Sequence, residues 1–486
     1  MFQNLAINSL APVEDLLKLN AALREFGEGN LSKAGSIGYQ VPAQISSGSN
    51  LSALVPQSID PLLSVATFTM QELALWPMLA KRGVGQTVHE FNVVHEHGLD
   101  LDPFIAEGGA GTLNASNYER LSVRIKYLAE RREVTDVATM VGLIGDNSNA
   151  IAEETERGTL RLLGKLERML FFADSSLSAL HFDGVFAQIL ARAPKNISDL
   201  GGKPVSPQYL QAVLGHMCGA PLYSRPDVIM VESRVHADLI SQTVAYGRHD
   251  QVKVGETGLT FGTNELFIMG PYGKVPIKMA PFLFTAEPAP DAASSSTAPT
   301  APSLSGGSPS TATDGASKFT GLDAGDYIYK FIGIGDKGYS DPIVTDPVAI
   351  ESGDKVTIEI ADGAKTGDGQ TSGGIRYYKV YRSAKNGSAD TCVFLCSLAL
   401  NTDGSPHTRF YDLNKVIPGT SKILILQNSP DVIQFVKLLD FMRRPLAENE
   451  TKKPFLLMLF GALAVKLPSK CWVIDNVGVN QSLITL

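Results

Sequence analysis

The stretch TVHEFNVVHEHGLDLDPFIAEGGAGTLNASNYERLSVRIKYLAE, residues 87–130, sets how the rest of the chain is read. Residues 87–98 read as a strand, a glycine-rich tip spans 102–116, and 119–130 runs back. On the return, Leu121, Val123, Ile125 and Tyr127 alternate with Arg120, Ser122, Arg124 and Lys126, the period of a half-buried strand. A two-stranded hairpin alone is marginal in water, because its apolar side chains have nothing to pack on. Its apolar face therefore needs a partner, from elsewhere in this chain or from a second copy.

Working outward, a helix is expected over 149–173, with Ile151, Thr155, Gly158, Leu162, Leu166 and Leu170 on one stripe. Glu153, Glu156, Arg157, Arg161, Lys165 and Arg168 cover the rest of it. Upstream, short helices are expected at 13–26 and 61–82, around a Gly/Ser/Gln-rich stretch with too few apolar residues for a private core. Downstream, 205–283 alternates helices (207–218, 233–245) with strands (227–232, 266–269, 275–279), an α+β pattern.

Residues 287–318 hold one Leu and no Val, Ile, Phe, Tyr or Trp, too little apolar surface to offset the entropy of ordering them, so a linker is expected. From 319 to 419, short alternating segments separated by Gly/Asp/Asn turns suggest an all-β sandwich. The TAPTAPSLSGG portion is an alternative first strand of that sandwich, leaving 287–297 as linker. LILQNSPDVIQFVKLLDFMRRP then brings mixed and helical periodicity, and the end of the chain is strand-like.

The chain has 486 residues, 44% hydrophobic and 19% charged, with a net charge of -8, and its basic residues are not clustered enough to neutralise a run of phosphates. The opening MFQNLAINSLAPVEDLL has no basic region before an apolar run, so a non-secreted protein made in the cytosol is expected. FLLMLFGALAV, 455–465, is about half the roughly 20 residues a membrane helix needs and reads as a buried strand pair or core segment. Cys392 and Cys396 are expected on one strand face, roughly 13 Å apart and too far for a disulfide.

The chemical motifs dissolve on inspection. GIGDKG, 333–338, matches GxGxxG, but Pro342 and Pro347 follow where a helix must present its N-terminus to a pyrophosphate, so a hairpin turn is expected. GPYGKVP, 270–276, is too short for a phosphate loop and lacks its Ser/Thr. His89, His95 and His97 project from one strand face, yet no Cys or further His lies near in sequence, so a surface or inter-subunit contact is expected rather than a metal. Ser233, His236 and Asp238 share one helix and cannot adopt triad geometry. Asp100 with Asp102, and Glu153 with Glu154, read as solvated faces. No catalytic, cofactor-binding or metal-binding residue is assigned and no cofactor is expected; the chain reads as a structural or binding protein, not an enzyme.

The order of parts resembles the major capsid proteins of tailed bacteriophages, the Hong Kong 97-type fold. FIAEGGAG at the tip, RIKYLAERREVTDVAT on the return and ERMLFFADSS closing the helix carry that resemblance, with FDGVFAQI, NISDLGGKPVSPQYLQAVLGHM, DVIMVESRVHADLI, YGKVPIKMAPFL and VKLPSKCWVIDNVGV following in order. It implies an α+β fold with an N-terminal arm (1–82), an E-loop hairpin (83–128), a peripheral domain with its spine helix (129–204) and an axial domain (205–286). An insert with its linker (287–419) comes next, then an axial return (420–453) and a peripheral return (454–486).

The insert departs from the family's order and itself resembles immunoglobulin-like or fibronectin type III-like domains, through GLDAGDYIYKFIGIGDKGYSDPI, YYKVYRS and TRFYDLN. The resemblance implies hexamers and pentamers of the chain in an icosahedral shell around double-stranded DNA, met non-specifically, with the insert projecting outward on a stalk. Portal and other capsid proteins, and a host-surface or glycan contact of the insert, are the further partners implied. No membrane is implied, and the location is the virion capsid after synthesis in the host cytoplasm. The alternative is an encapsulin-like cellular nanocompartment shell.

Overall fold

The structure, a computed structural model, describes residues 67–98, 102, 104–105, 107–111, 113–140, 149–245, 266–305, 309–361, 374–401, 407–448 and 450–479. All lie in the unit Ser64–Leu486. The helix expected at 13–26 and the Gly/Ser/Gln-rich stretch fall outside these residues.

The long helix forms at Ala150–Phe172. Asn149 caps it, its side-chain Oδ1 accepting the Ile151 N–H at 2.9 Å and satisfying a donor that the first turn leaves free. Leu162, Leu163, Leu166, Leu170 and Phe171 are buried along one side, each stabilising by about 1.5–3 kcal/mol. Gly158 belongs to that side because a Cβ there would lie 2.4 Å from Leu457 Cδ1 and 3.0 Å from Arg132 Nε. It costs about 1 kcal/mol of helix propensity and lets the helix lie directly on the strands beneath.

Those strands form a four-stranded sheet in the order Lys81–Gly83, Ile433–Pro445, Lys452–Val465, Lys126–Thr135. The first pair is parallel and the other two are antiparallel. FLLMLFGALAV lies within the single strand Lys452–Val465, not a strand pair; most of its residues are buried, and a near-continuous apolar run is what a strand covered on both faces requires. The mixed and helical periodicity at 424–445 is corrected by the structure, where strands Ser421–Leu426 and Ile433–Pro445 stand instead. The second strand slips register twice against its partner, between Lys437 and Leu439 and between Leu439 and Met442. Each bulge adds a residue and breaks the period of two, so the apolar spacing imitates a helix.

A six-stranded sheet runs in the order Ile197–Asp199, Trp472–Val477, Ser421–Leu426, Val228–Val231, Gly273–Met279, Phe267–Gly270. Helices Pro207–Cys218 and Ser233–Ala245 accompany it, with Leu210, Val213, Leu214 and Met217 buried against Ile229, Val231, Ile423 and Ile425. Ser421–Leu426 and Trp472–Val477 belong to the six-stranded sheet, and the two strands between them to the four-stranded one.

The helix expected over 61–82 is broken within its described part. A 3-10 turn at Met70–Glu72 and a one-turn helix at Leu75–Met78 precede the strand Lys81–Gly83. Pro77 removes an N–H and crowds the preceding turn. Glu167, fully buried on the long helix, accepts the N–H groups of Ala74 at 3.0 Å, Leu75 at 2.6 Å and Trp76 at 2.8 Å. Burial pushes its carboxyl pKa up, opposed by those three amide donors.

Besides a two-stranded pairing of Gly325–Tyr327 with Val348–Ile350, residues 303–412 build two larger antiparallel sheets. One holds Ser310–Thr313, Asp354–Ala361 and His407–Asp412, with Ser303–Leu304 also on Asp354–Ala361; the other holds Gly338–Tyr339, Tyr329–Gly335, Ile375–Arg382 and Val393–Ala399. Phe331, Ile358, Ile360, Tyr378, Val380 and Phe410 fill the space between them. GIGDKG is a hairpin turn, Gly335 pairing with Gly338. Cys392 and Cys396 are not on one face: a bulge opposite Val380 and Tyr381 leaves Leu395 unpaired. Cys392 packs with Ile332 and Tyr381, while Cys396 meets the inter-sheet core. Both are free thiols that burial pushes up, to about 11 and about 12.

The linker expectation for 287–318 is also corrected. Glu287 O accepts the Phe394 N–H at 2.9 Å, Ala289 N–H donates to Cys392 O at 3.0 Å, and Ser294 N–H donates to Tyr339 O at 3.1 Å. The segment then pairs as Ser303–Leu304 and Ser310–Thr313. Its order comes from backbone hydrogen bonds to Cys392 and Phe394, to Tyr339 and to strand Asp354–Ala361, which need no apolar side chains and leave no compositional trace.

Candidate assembly surfaces

The hairpin pairs Val88–Glu96 with Asn117–Arg124, and the return strand breaks at Ile125. Beyond it Lys126–Thr135 enters the four-stranded sheet, so one end of the hairpin is anchored in the body. Val93 and Ile125 are buried, and Phe91 and Val123 pack partly against the main core, so this chain supplies part of the partner the apolar face needs. The outer end is different. Phe104 and Leu113 are 88% and 94% exposed, and the paired Val94 and Tyr118 are exposed beside them on the strands. Apolar side chains gathered so far from any core mark a contact surface.

The three histidines do not act together. A register slip between Val94 and Glu96 makes His95 the extra residue, which breaks the alternation that would have aligned them. His95 Nε2 lies 2.6 Å from Glu119 Oε2, and Glu119 also lies 3.7 Å from Arg192. His89 keeps a buried Nε2 with no partner, and burial together with Arg82 and Lys466 pushes its pKa down. Among the described residues no group of three or more His, Cys, Asp or Glu is placed to hold a metal. Ser233, His236 and Asp238 do share the helix Ser233–Ala245, where Gln242 Nε2 donates to Asp238 at 3.2 Å.

A second surface is the edge of the six-stranded sheet that no further strand covers among the described residues. Phe267–Gly270 is its last strand, with Phe267, Met269, Tyr272 and Met279 exposed nearby and Arg225 over the Tyr272 ring at 5.1 Å. Gln211 Nε2 donates to Met269 O of this strand at 3.5 Å, and a sheet edge offers backbone groups as well as side chains to another chain.

The insert meets the body at charged joints. Glu287 lies 3.1 Å from Arg168 of the long helix and 3.0 Å from Lys379 of the insert. Burial would raise the Glu287 carboxyl, but Lys379, Arg168 and Lys165 outweigh it and hold its pKa below the ordinary value. Burial lowers the Lys379 ammonium despite the same pairing, so the ammonium gives back part of what the carboxylate gains. The His181 ring stands edge-on to Tyr377 at 5.8 Å.

At the other end, Lys318 pairs with Asp199, whose Oδ1 accepts from Asn476 Nδ2 at 2.9 Å and from the Gly201 N–H at 2.8 Å. Asn476 also donates to Lys415 O at 2.8 Å and accepts the Ile417 N–H at 3.0 Å, tying the outgoing stem down. Thr285 Oγ1 donates to Thr420 O and fastens the two stems together.

Sequence reasoning missed Glu167, Glu287, Asp199 and Asn476. Only Glu167 leaves a signal, a lone carboxylate between Leu166 and Leu170 on the apolar stripe; the others are ordinary polar residues whose partners lie far away in the chain.

No protein-family model matches the chain. It is similar to the major capsid protein of Staphylococcus phage K, 23% identical over 447 residues that cover 87% of this chain and 90% of the relative. It is similar as well to the putative major capsid protein of Enterococcus phage phiEF24C, 23% identical over 464 residues, 92% of this chain and 94% of the relative. Among solved structures, the holo-SrpI encapsulin complex of Synechococcus elongatus PCC 7942 aligns at a TM-score of 0.43 and 11% identity, over 91% of this chain and all 100% of that one. The chain is thus similar, over nearly its whole length, to proteins named as major capsid proteins in phages of two bacterial genera.

Proposed function

We propose that the chain is the major capsid protein of a tailed phage, with the Hong Kong 97-type fold. It assembles as hexamers and pentamers into an icosahedral shell around double-stranded DNA. The observation that carries this reading is the similarity to phage major capsid proteins across about nine-tenths of both chains. The exposed hairpin end and the sheet edge support it, since a closed shell covers both with neighbouring copies. The mechanism is geometric: many modest interfaces repeated over a closed lattice give a stability that no single contact supplies. The insert is an immunoglobulin-like domain on the outer side of that shell; its two-sheet architecture and adjacent stems support this.

Negative-stain electron microscopy of the purified protein tests the reading. Uniform closed shells are expected, and a monodisperse monomer at high concentration sinks it. Nuclease-protected DNA inside shells recovered from infected cells separates a virion from a cellular nanocompartment, whose shells hold cargo protein instead.

A further inference from the structure

The insert is joined to the body by two stems fastened to each other at Thr285 and Thr420. A rigid sandwich held only there has one axis about which to swing. Two ion clusters oppose the swing, Glu287 between Arg168 and Lys379 and Lys318 on Asp199, beside the His181–Tyr377 ring contact and the bonds of Asn476 to Lys415 and Ile417. The two clusters reach different parts of the body, the first the long helix and the second the edge strand Ile197–Asp199 of the six-stranded sheet. The cohesion of the insert is of another kind, an apolar inter-sheet core and a buried Arg382–Asp412 pair.

We propose that the insert is a latched brace, held at a fixed angle across the long helix and the six-stranded sheet chiefly by these two clusters, and that once they open it turns more widely about the paired stems, restrained only by the His181–Tyr377 ring contact and the Asn476 bonds. Partly exposed ion pairs each stabilise weakly and are screened by salt, whereas the insert's own core is not, so the latch opens well before the insert unfolds. The incoming segment serves as the strap: its backbone is bonded to the insert through Phe394 and Cys392 while Glu287 at its start grips the helix. This inference rests on the joints alone and not on the capsid reading.

The test uses the full chain carrying spin labels on non-canonical residues at Leu322, in the insert, and Leu190, in the body, both exposed. Labelled chain is diluted with an excess of unlabelled chain, so that distances within one molecule dominate whether or not particles form. Pulsed electron resonance at about 0.1 M salt is expected to give one narrow distance distribution for the parent chain, and a distribution roughly twice as wide in about 1 M salt. The double variant Glu287→Gln with Lys318→Gln is expected to be as wide already at low salt. An unchanged insert melting transition in that variant separates loosening from unfolding. A broad distribution in the parent chain at low salt overturns the docking, and a narrow one in the double variant overturns the latch. Electron microscopy of the same samples asks separately whether shells form.

Discussion

Replacing Asp412 by Ala should unfold the insert early while leaving the body intact. Arg382 and Asp412 are 3% and 4% exposed, and Arg382 Nη1 donates to Asp412 Oδ2 at 2.6 Å. Tyr329 Oη donates to the same oxygen at 2.8 Å, burial and that carboxylate pushing the hydroxyl's pKa well up so that it stays protonated. The Asn414 N–H donates to Oδ1 at 2.8 Å. Alanine leaves a buried guanidinium without its counter-charge and two further donors without an acceptor. Breaking a buried pair from one side costs about 3–5 kcal/mol. At about 4–8 °C per kcal/mol for a domain of roughly 100 residues, the insert's melting temperature should fall by about 12–40 °C. Differential scanning calorimetry of the full chain reads this as a separate early transition. Asp412→Asn, which retains acceptors but not the charge, should fall between. A shift under about 4 °C, equivalent to less than about 1 kcal/mol, would refute the claim that this network holds the insert together. Loss of shells in the variant would refute its independence from the body.

Glu167→Ala removes the acceptor of three backbone donors, at about 1–3 kcal/mol for each that stays buried; at about 2 kcal/mol, hydrogen exchange at Ala74, Leu75 and Trp76 should speed up by roughly 30-fold. Docking of the insert should weaken in two steps as pH falls, first below about pH 6.5 through His181 against Tyr377, whose pKa burial, Arg376 and Lys126 push down, and then below about pH 4 through the carboxylates. Burial alone would raise Asp199, but Lys318, Asn476 and the Gly201 N–H hold it low, as Lys379, Arg168 and Lys165 do Glu287, with Tyr377 and Tyr381 nearby. Carboxylates with depressed folded values stabilise fully above their unfolded pKa and lose that contribution as pH falls through the folded one; the label-distance width across pH 3–7 (about the range where carboxylates titrate) checks this, and a width that does not change refutes it. Deleting 288–419 and joining Glu287 to Thr420 should leave assembly intact, because Thr285 and Thr420 are already hydrogen-bonded neighbours. Soluble chain that forms no particles would make the insert an assembly element.

The parts of the fold legible in the sequence are those with local periodicity. The helices at 150–172, 207–218 and 233–245 follow from apolar stripes, capping residues and turn residues close in sequence. What failed to read was set by distant pairing. Two bulges gave Ile433–Pro445 a helical spacing, and the 287–304 segment is ordered by backbone bonds to strands about 45 to 105 residues away, which composition cannot register. The hairpin read well as a shape and poorly as a site: its alternation was plain, but the bulge at His95 that separates the histidines depends on register.

The interleaving of the two sheets bears on how the chain is made. Lys452 meets Glu133 across 319 residues, and Val228–Val231 finds its neighbour Ser421–Leu426 only after the whole insert has been synthesised. At about 5–20 residues per second on the ribosome, the long helix and the hairpin emerge many seconds before the strands that cover them. The insert, with a core of its own, is free to fold during that wait. A truncated chain lacks the centre of both sheets and cannot present a finished surface, so under the proposed shell function only complete chains are competent to join a growing particle.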